Sequence, residues 1–244
     1  MSTPLRIAMW SGPRNISTAM LRSFGNRPDT FVTDEPLYGH YLRQTGLDHP
    51  GRDEVIAAQP EDWQTVATWL CGPVPEGQPV WYQKHMSHHL LPEIEQEWLG
   101  TLSNCFLIRD PREVLASYTQ VRETVTLEDI GLPQQAALFD RLFDETGAPP
   151  PVLDAKDVLS NPEKLLGALC TAIGLDFTET MLSWPPGPRD TDGIWSKYWY
   201  SSVTDSTGFV AYKPKNVVLT PALEELAARC APYYERLHAY RLGQ

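Results

Sequence analysis

The sequence has no apolar run long enough to cross a membrane. A spanning helix needs about 20 consecutive apolar residues, whereas the longest apolar runs here, such as residues 105–108, have the length of buried strands. The first ten residues are followed by the polar residue Ser11, so no signal-peptide core follows the first charged side chain. We therefore expect no membrane partner, no secretion signal and a cytoplasmic location.

Cysteine is scarce and widely spaced. The four cysteines, at positions 71, 105, 170 and 230, are separated by 34, 65 and 60 residues. This spacing fits neither a zinc site nor a dense disulfide framework. We expect reduced and mostly buried thiols.

The sequence has fewer basic than acidic residues. The sequence has 20 Lys and Arg residues against 31 Asp and Glu residues, which gives a net charge of −11. Such an acidic chain is poorly suited to general binding of nucleic acid or of an anionic membrane. Any anionic ligand must therefore find a local basic pocket. The composition carries no information on the oligomeric state.

What the sequence does contain is typical of one folded domain. Of its 244 residues, 42% are hydrophobic and 21% are charged, which is ordinary globular usage. There is no internal repeat, and the 22 prolines indicate long ordered loops rather than domain boundaries. We predict a single domain over residues 1–244, with a divergent region rich in Trp and Pro around residues 184–216.

Short apolar runs alternate with segments of helical periodicity. We predict strands at 5–10, 30–33, 80–83, 104–108 and 151–154, and helices at 17–27, 60–71, 111–122, 133–146, 161–173 and 221–240. Three helix starts are marked by a capping side chain followed by proline, at Asp110, Asn161 and Thr220. This alternation predicts an α/β fold, with a central parallel β-sheet flanked by helices.

The segment after the first predicted strand has the features of an anion site. Residues 11–18 read Ser-Gly-Pro-Arg-Asn-Ile-Ser-Thr and lead into a helix. The free N–H groups of a helix N-terminus attract an anion, and Arg14, Ser17 and Thr18 add a charge and two hydroxyls. An ordinary turn with a surface arginine is the alternative. The Walker pattern is absent, because Thr18 occupies the position of its lysine.

A second strand–helix junction adds another cation. Arg109 ends the predicted strand 104–108, at the sheet edge where ligands of doubly wound folds bind. Ser117 follows two helical turns later. A phosphate could be held by these two side chains, although a salt bridge from Arg109 to Asp110 or Glu113 is an equal alternative.

Together the two segments resemble the sulfotransferases that use 3′-phosphoadenosine 5′-phosphosulfate, PAPS, and the chain looks most like a bacterial group of them. That family holds the 5′-phosphosulfate with a Pro-Lys/Arg-x-Gly-Thr/Ser-Thr/Ser loop, and the 3′-phosphate with an Arg and a Ser eight residues later. The matching residues are Arg109 and Ser117, and the loop Pro13-Arg14-Asn15-Ile16-Ser17-Thr18. The resemblance implies a P-loop-like three-layer fold, PAPS as co-substrate, no metal, and sulfuryl transfer to a small-molecule acceptor.

The chain departs from that family at two places. Ile16 replaces the loop glycine, and the basic-Gly motif near the C-terminus of cytosolic members is not recognisable. Residues 206–209, with Lys213 and Lys215, are the candidate replacement for that motif.

The resemblance also suggests catalytic residues. Lys84-His85 is similar to the Lys-x-His of cytosolic members, with a one-residue difference in spacing, and implies a cation for the leaving group and a base. Glu35 follows the second predicted strand, and Pro36 keeps it out of helical geometry. Several members use a Glu there as general base, so Glu35 is the first choice and His85 the second. Glu35 could instead pair with Arg14 to order the empty loop.

Other features leave alternatives open. His85, His88 and His89 could suggest a metal site, but no carboxylate or Cys partner is evident. The aromatic residues of 184–200 could form an acceptor wall or only a satellite core. The functional alternatives are a P-loop kinase or nucleotide hydrolase, which would need Mg²⁺, and an inactive nucleotide-binding relative.

Overall fold

A five-stranded parallel sheet forms the centre of the protein. The computed structural model describes residues 3–122, 124–214 and 216–244. The strands are β1 (Leu5–Ser11), β2 (Thr30–Asp34), β3 (Val80–Met86), β4 (Ser103–Ile108) and β5 (Val152–Asp154). Their order in the sheet is β2-β3-β1-β4-β5, and all four pairings are parallel. The predicted α/β class and all five predicted strands are confirmed.

Helices connect the strands and cover both faces of the sheet. The longer ones are α1 (Ser17–Gly25), α2 (Tyr38–Thr45), α3 (Arg52–Ala58), α4 (Trp63–Cys71) and α5 (Pro111–Tyr118). After the short α6 (Leu127–Ile130) come α7 (Leu132–Thr146), α8 (Ala155–Ser160) and α9 (Pro162–Ala172). The short α10 (Ser196–Trp199) and α11 (Ser201–Thr204) precede α12 (Pro221–His238).

Two hydrophobic cores lie on the two faces of the sheet. On one face, Trp10, Trp81 and Phe106 pack with residues of α4, α5, α7 and α12. On the other face, Met9, Tyr82 and residues around them pack with α1, α8 and α9. Alternate residues of each strand therefore enter opposite cores, as the period of two of a strand requires. This three-layer arrangement was expected from the resemblance.

The predicted helices at 17–27, 60–71, 111–122, 133–146, 161–173 and 221–240 all exist, with ends that differ by up to four residues. The caps are as predicted: Asp110, Asn161 and Thr220 each accept a hydrogen bond from a backbone N–H of the first helical turn. The helices α2, α3 and α8 were not predicted. They are short, and α2 is rich in Tyr and His rather than in aliphatic residues.

The remaining sequence expectations concern cysteine and membrane spans. All four cysteines are free, and only Cys71 is not fully buried. Among the described residues, no helix combines the length and the apolar character that a membrane span needs.

Candidate functional site

One large cavity opens at the carboxyl edge of the sheet. Its volume is about 530 Å³, within the usual range of ligand pockets. Residues that follow each of the five strands line it: Pro13–Ala19 after β1, Glu35 after β2, His88 after β3, Arg109 after β4 and Ala155 after β5. Parallel strands bring their carboxyl ends to one edge, so residues far apart in sequence share this cavity.

The loop between β1 and α1 is held in place by specific contacts. Asn15 Nδ2 donates to the Leu107 carbonyl at 3.0 Å, and Asn15 Oδ1 accepts from the Ile16 amide at 2.8 Å. A Cβ atom on Gly12 would lie 2.4 Å from the Ile130 carbonyl oxygen, so only glycine fits there. The first-turn N–H groups of α1 have no intrahelical acceptor and point into this region. The predicted anion loop is therefore a fixed structure.

Two arginines and a serine meet beside this loop. Arg14 Nε donates to Ser117 Oγ at 3.0 Å, and Arg109 Nη1 donates to the Arg14 carbonyl at 2.7 Å. Burial, followed by the neighbouring Arg109, lowers the pKa of Arg14. Two guanidinium groups this close favour an anion between or beside them. Residues 14–18, Arg109 and Ser117 thus lie together, as their order in the sequence predicted.

Arg109 also forms the salt bridge that the sequence left open. Its Nε and Nη2 atoms donate to Glu113 Oε2 at 3.1 and 2.9 Å. Tyr212 Oη donates to the other oxygen of Glu113 at 2.8 Å. A segment near the C-terminus is thereby tied to the cavity through Glu113.

A buried cluster of charged and polar groups lies at the ends of β2 and β3. Lys84 Nζ donates to Asp34 Oδ1 at 2.8 Å, to Glu35 Oε1 at 2.5 Å and to Tyr200 Oη at 2.7 Å. Tyr200 in turn donates to Asp34 Oδ2 at 2.6 Å. All three hydrogens of the Lys84 ammonium are therefore used. The alternative in which Glu35 pairs with Arg14 is wrong: among the described residues, the salt-bridge partner of Glu35 is Lys84.

The electrostatics of this cluster follow from burial and proximity. Burial raises the pKa of the Glu35 carboxyl, Lys84 lowers it and Asp34 raises it, with a net upward direction. Burial disfavours the Lys84 ammonium, but Asp34 and Glu35 outweigh it and raise the pKa of Lys84. Lys84 is therefore a cation, and Glu35 is a stronger base than an exposed glutamate.

His85 lies on the other face of the sheet. Its ring stacks on Trp10 with centroids 4.3 Å apart, and its Nε2 atom is 3.3 Å from Gln83 Oε1. It does not line the cavity, and burial lowers its pKa to about 3. Neighbouring residues of a strand point in opposite directions, so the one-residue change from Lys-x-His separates His85 from Lys84. In this structure it is a core residue.

A cluster of aromatic and imidazole rings lines another part of the cavity. His89 lies between Tyr38 and Tyr41, with ring centroids 4.7 and 4.6 Å away, and His88 is 4.4 Å from His89. His49 Nδ1 is 2.8 Å from Tyr38 Oη. In the part of the chain that the structure describes, no group of His, Cys, Asp and Glu side chains is arranged to hold a metal ion.

The region around residues 184–216 contributes both to a small core and to the wall of the cavity. Trp195 and Tyr200 pack with α2 and α3 in a small third core, whereas Trp199, Tyr200 and Phe209 also line the cavity. Lys213 lines it as well, and Lys215 lies outside the described residues.

Several cavity residues were missed by sequence reasoning. They are Arg122, Lys156, Tyr200 and Tyr212. Asp34, the partner of Lys84 behind the cavity wall, was missed as well. Tyr200 is 116 residues from Lys84 in the sequence, and nothing local marks the contact. Asp34, next to Glu35 at the end of a predicted strand, could have been found from its position.

Comparisons with known proteins agree with the fold. The family described as "Sulfotransferase domain" matches residues 5–241. Two curated Arabidopsis thaliana relatives, named branched-chain-amino-acid aminotransferase-like proteins 1 and 2, are 34% and 31% identical over 98% and 96% of this chain. The chain spans only 43% and 41% of their lengths.

Two solved structures resemble the fold at low sequence identity. The sulfotransferase domain from the curacin biosynthetic pathway has a TM-score of 0.57 at 16% identity, covering 95% of this chain and 98% of that one. A sulfotransferase from Alicyclobacillus acidocaldarius has a TM-score of 0.54 at 14% identity, covering 98% and 96%.

Proposed function

Because this chain belongs to the family of sulfotransferase domains, we propose that it transfers a sulfuryl group from PAPS to a hydroxyl or amine of a small-molecule acceptor. One observation carries the proposal. The cavity that holds Arg14, Arg109 and Ser117 beside the N-terminus of α1 also holds the Glu35–Lys84 pair. The site for the anionic sulfuryl donor and the candidate base therefore face the same cavity.

The donor end suits a nucleotide with two separate phosphate groups. The loop amides, Arg14, Ser17 and Thr18 surround the N-terminus of α1 and would hold the 5′-phosphosulfate. Arg109 and Ser117 would hold the 3′-phosphate, and that anion would compete with Glu113 for the Arg109 guanidinium. Lys156 and Lys213 also line the cavity and add positive charge at this end.

The transfer is an in-line displacement at sulfur. The acceptor oxygen or nitrogen forms a bond to sulfur while the bond from sulfur to the 5′-phosphate oxygen breaks, and the electron pair leaves with adenosine 3′,5′-diphosphate. By analogy with phosphoryl transfer, positioning and charge stabilisation supply most of the catalysis. No metal is required.

Glu35 accepts the proton of the acceptor in this proposal. Its raised pKa brings it closer to neutral pH, where a general base works best. When Glu35 becomes protonated, Lys84 loses one of its two anionic partners. The positive charge of Lys84 is then less compensated at the moment when negative charge develops on the leaving group.

The compartment belongs to the same proposal. Four free thiols, three of them buried, fit a reducing environment. We therefore place the activity in the cytoplasm.

Release of adenosine 3′,5′-diphosphate from PAPS tests the function. The wild-type protein should release it only in the presence of an acceptor from a panel of hydroxyl and amine compounds. Glu35→Gln should lower turnover about 100-fold or more, because the base is lost while the shape is kept. His85→Gln is the matched control and should keep turnover. Full activity of Glu35→Gln would refute the assignment of the base.

A further inference from the structure

The part of the cavity that is lined by rings differs in its chemistry from the part that holds Arg14 and Arg109. We call it the ring chamber, and its lining residues are Tyr38, His49, His88, His89, Arg122 and Trp199. The Tyr38 amide donates to the Glu35 carbonyl at 3.1 Å, so the ring chamber adjoins the Glu35–Lys84 pair. An acceptor whose nucleophile meets Glu35 can therefore rest its body in the ring chamber.

The imidazoles of the ring chamber carry no charge at neutral pH. Burial, followed by Arg122, lowers the pKa of His49 to about 4. Burial, followed by His49, lowers the pKa of His88 to about 3. The Nδ1 atoms of His88 and His89 have no hydrogen-bond partner among the described residues. These rings offer flat surfaces and neutral hydrogen-bonding groups.

Arg122 is a cation that lines the ring chamber and has no anionic partner among the described residues. Lys84 is neutralised by Asp34 and Glu35, whereas the Arg122 side chain forms no salt bridge within the described residues. The Arg122 amide donates to the Tyr118 carbonyl at 3.1 Å, which fixes the backbone just beyond α5. The Asp129 carboxylate caps α6, where it accepts from the Thr126 amide.

We propose that the acceptor bears a carboxylate that pairs with Arg122, at the end of the molecule opposite to its hydroxyl or amine, with a planar body between the rings. This inference rests on the proposed function. A guanidinium binds a carboxylate through two parallel hydrogen bonds. A phosphate would bring about two charges, and the ring chamber offers one cation. A cationic acceptor would be repelled by the Arg122 guanidinium.

Three phenols that differ only in the tail test the proposal. They are 3-(4-hydroxyphenyl)propanoate, its amide and tyramine, with tail charges of −1, 0 and +1. Their binding is measured by calorimetry to the protein saturated with adenosine 3′,5′-diphosphate. The carboxylate should bind about tenfold or more tightly than the amide, which is the scale of a charged hydrogen bond, and tyramine should bind most weakly.

Variants identify the residue responsible. Arg122→Gln should lower the affinity for the carboxylate to that of the amide, and Arg122→Lys should retain part of the difference. Both should leave the affinity for the diphosphate unchanged. Arg141→Gln is the control, because Arg141 lies outside the cavity and pairs with Glu145. It should bind all three phenols like the wild type.

The outcomes separate this inference from the proposed function. Equal affinities for the three phenols, tighter binding of the amide or tyramine, no binding of any phenol, or an unchanged preference in Arg122→Gln would each overturn the inference. The proposed function would survive these results if the diphosphate still binds. Failure of the diphosphate itself to bind would refute the proposed function.

Discussion

Arg14 and Glu35 share a backbone conformation that is rare for residues with a side chain. Their φ angles are 55° and 39°, and the third described non-glycine residue with positive φ is Glu76. Such geometry costs roughly 1–3 kcal/mol, and two of these three residues line the cavity. The sequence predicted, from Pro36, that Glu35 is not helical, but it contained no signal for a left-handed backbone conformation. The strained backbone at both residues directs their side chains into the same cavity.

Asp34 adds to the effect of burial in raising the pKa of Glu35. Burial raises the pKa of Glu35, Lys84 lowers it and Asp34 raises it. Asp34→Asn removes one raising influence, so the pKa of Glu35 should fall. Because the base must be deprotonated, the acidic limb of the kcat profile should move to lower pH. Asp53→Asn, at an exposed carboxylate, should leave the limb in place, and a shift to higher pH in Asp34→Asn would contradict the account.

Arg109 is expected to recognise the 3′-phosphate. Arg109→Gln should weaken binding of adenosine 3′,5′-diphosphate by about 1.5–3 kcal/mol, or about 10- to 150-fold. Binding of AMP, which lacks that phosphate, should change little. Calorimetry on both ligands measures the difference. Arg112→Gln is the control, because Arg112 pairs with Glu224 and does not line the cavity. Equal losses for the two ligands would assign Arg109 a different role.

The parts of the site that the sequence could predict are those positioned by regular strands and helices. The strands and helix caps follow from apolar runs and from Asp, Asn or Thr before proline, and these signals are local. The positions of Arg14, Arg109 and Ser117 follow because parallel strands end at one edge. The Tyr200–Lys84 contact joins residues 116 positions apart through an irregular segment. No local signal encodes such a contact.

The start of α1 depends on close packing of the loop before it. A methyl group on Gly12 would lie 2.4 Å from the Ile130 carbonyl, just before α7. Gly12→Ala should therefore lower the free energy of unfolding by about 1–3 kcal/mol and weaken nucleotide binding, because the loop must shift. Urea unfolding and calorimetry measure the two effects.

Gly167 provides the matched control for this substitution. It lies within α9, and a Cβ atom there would have no neighbour within 4 Å. Gly167→Ala should raise the free energy of unfolding by roughly 0.5–1 kcal/mol and leave nucleotide binding unchanged. If Gly12→Ala behaved in the same way, the tight contact with residue 130 would not be needed.

At the scale of the whole molecule, the fold is kept while the sequence diverges. The two sulfotransferase structures share only 16% and 14% of residues with this chain, yet they cover nearly all of it. A parallel sheet needs only buried apolar strands and covering helices, which many sequences provide. The ring chamber depends on individual side chains such as His49 and Arg122, so neither fold nor motif could predict it.

The protein has a net charge of −11, which disfavours the binding of an anionic ligand. The surrounding field repels an anionic nucleotide, so binding must come from the local cations and amides of the cavity. A nucleotide bound in this way should stabilise the folded state, and a ligand without matching contacts should not.

Thermal unfolding with adenosine 3′,5′-diphosphate, AMP and ATP with Mg²⁺ at equal concentrations is the most direct test of the donor site. Ligand at about 100 times its Kd adds about 2.7 kcal/mol, which raises Tm by roughly 5–10 °C for a chain of this length. We predict this rise with the diphosphate and a smaller one with AMP. A rise only with ATP and Mg²⁺, or none with the diphosphate, would contradict the account.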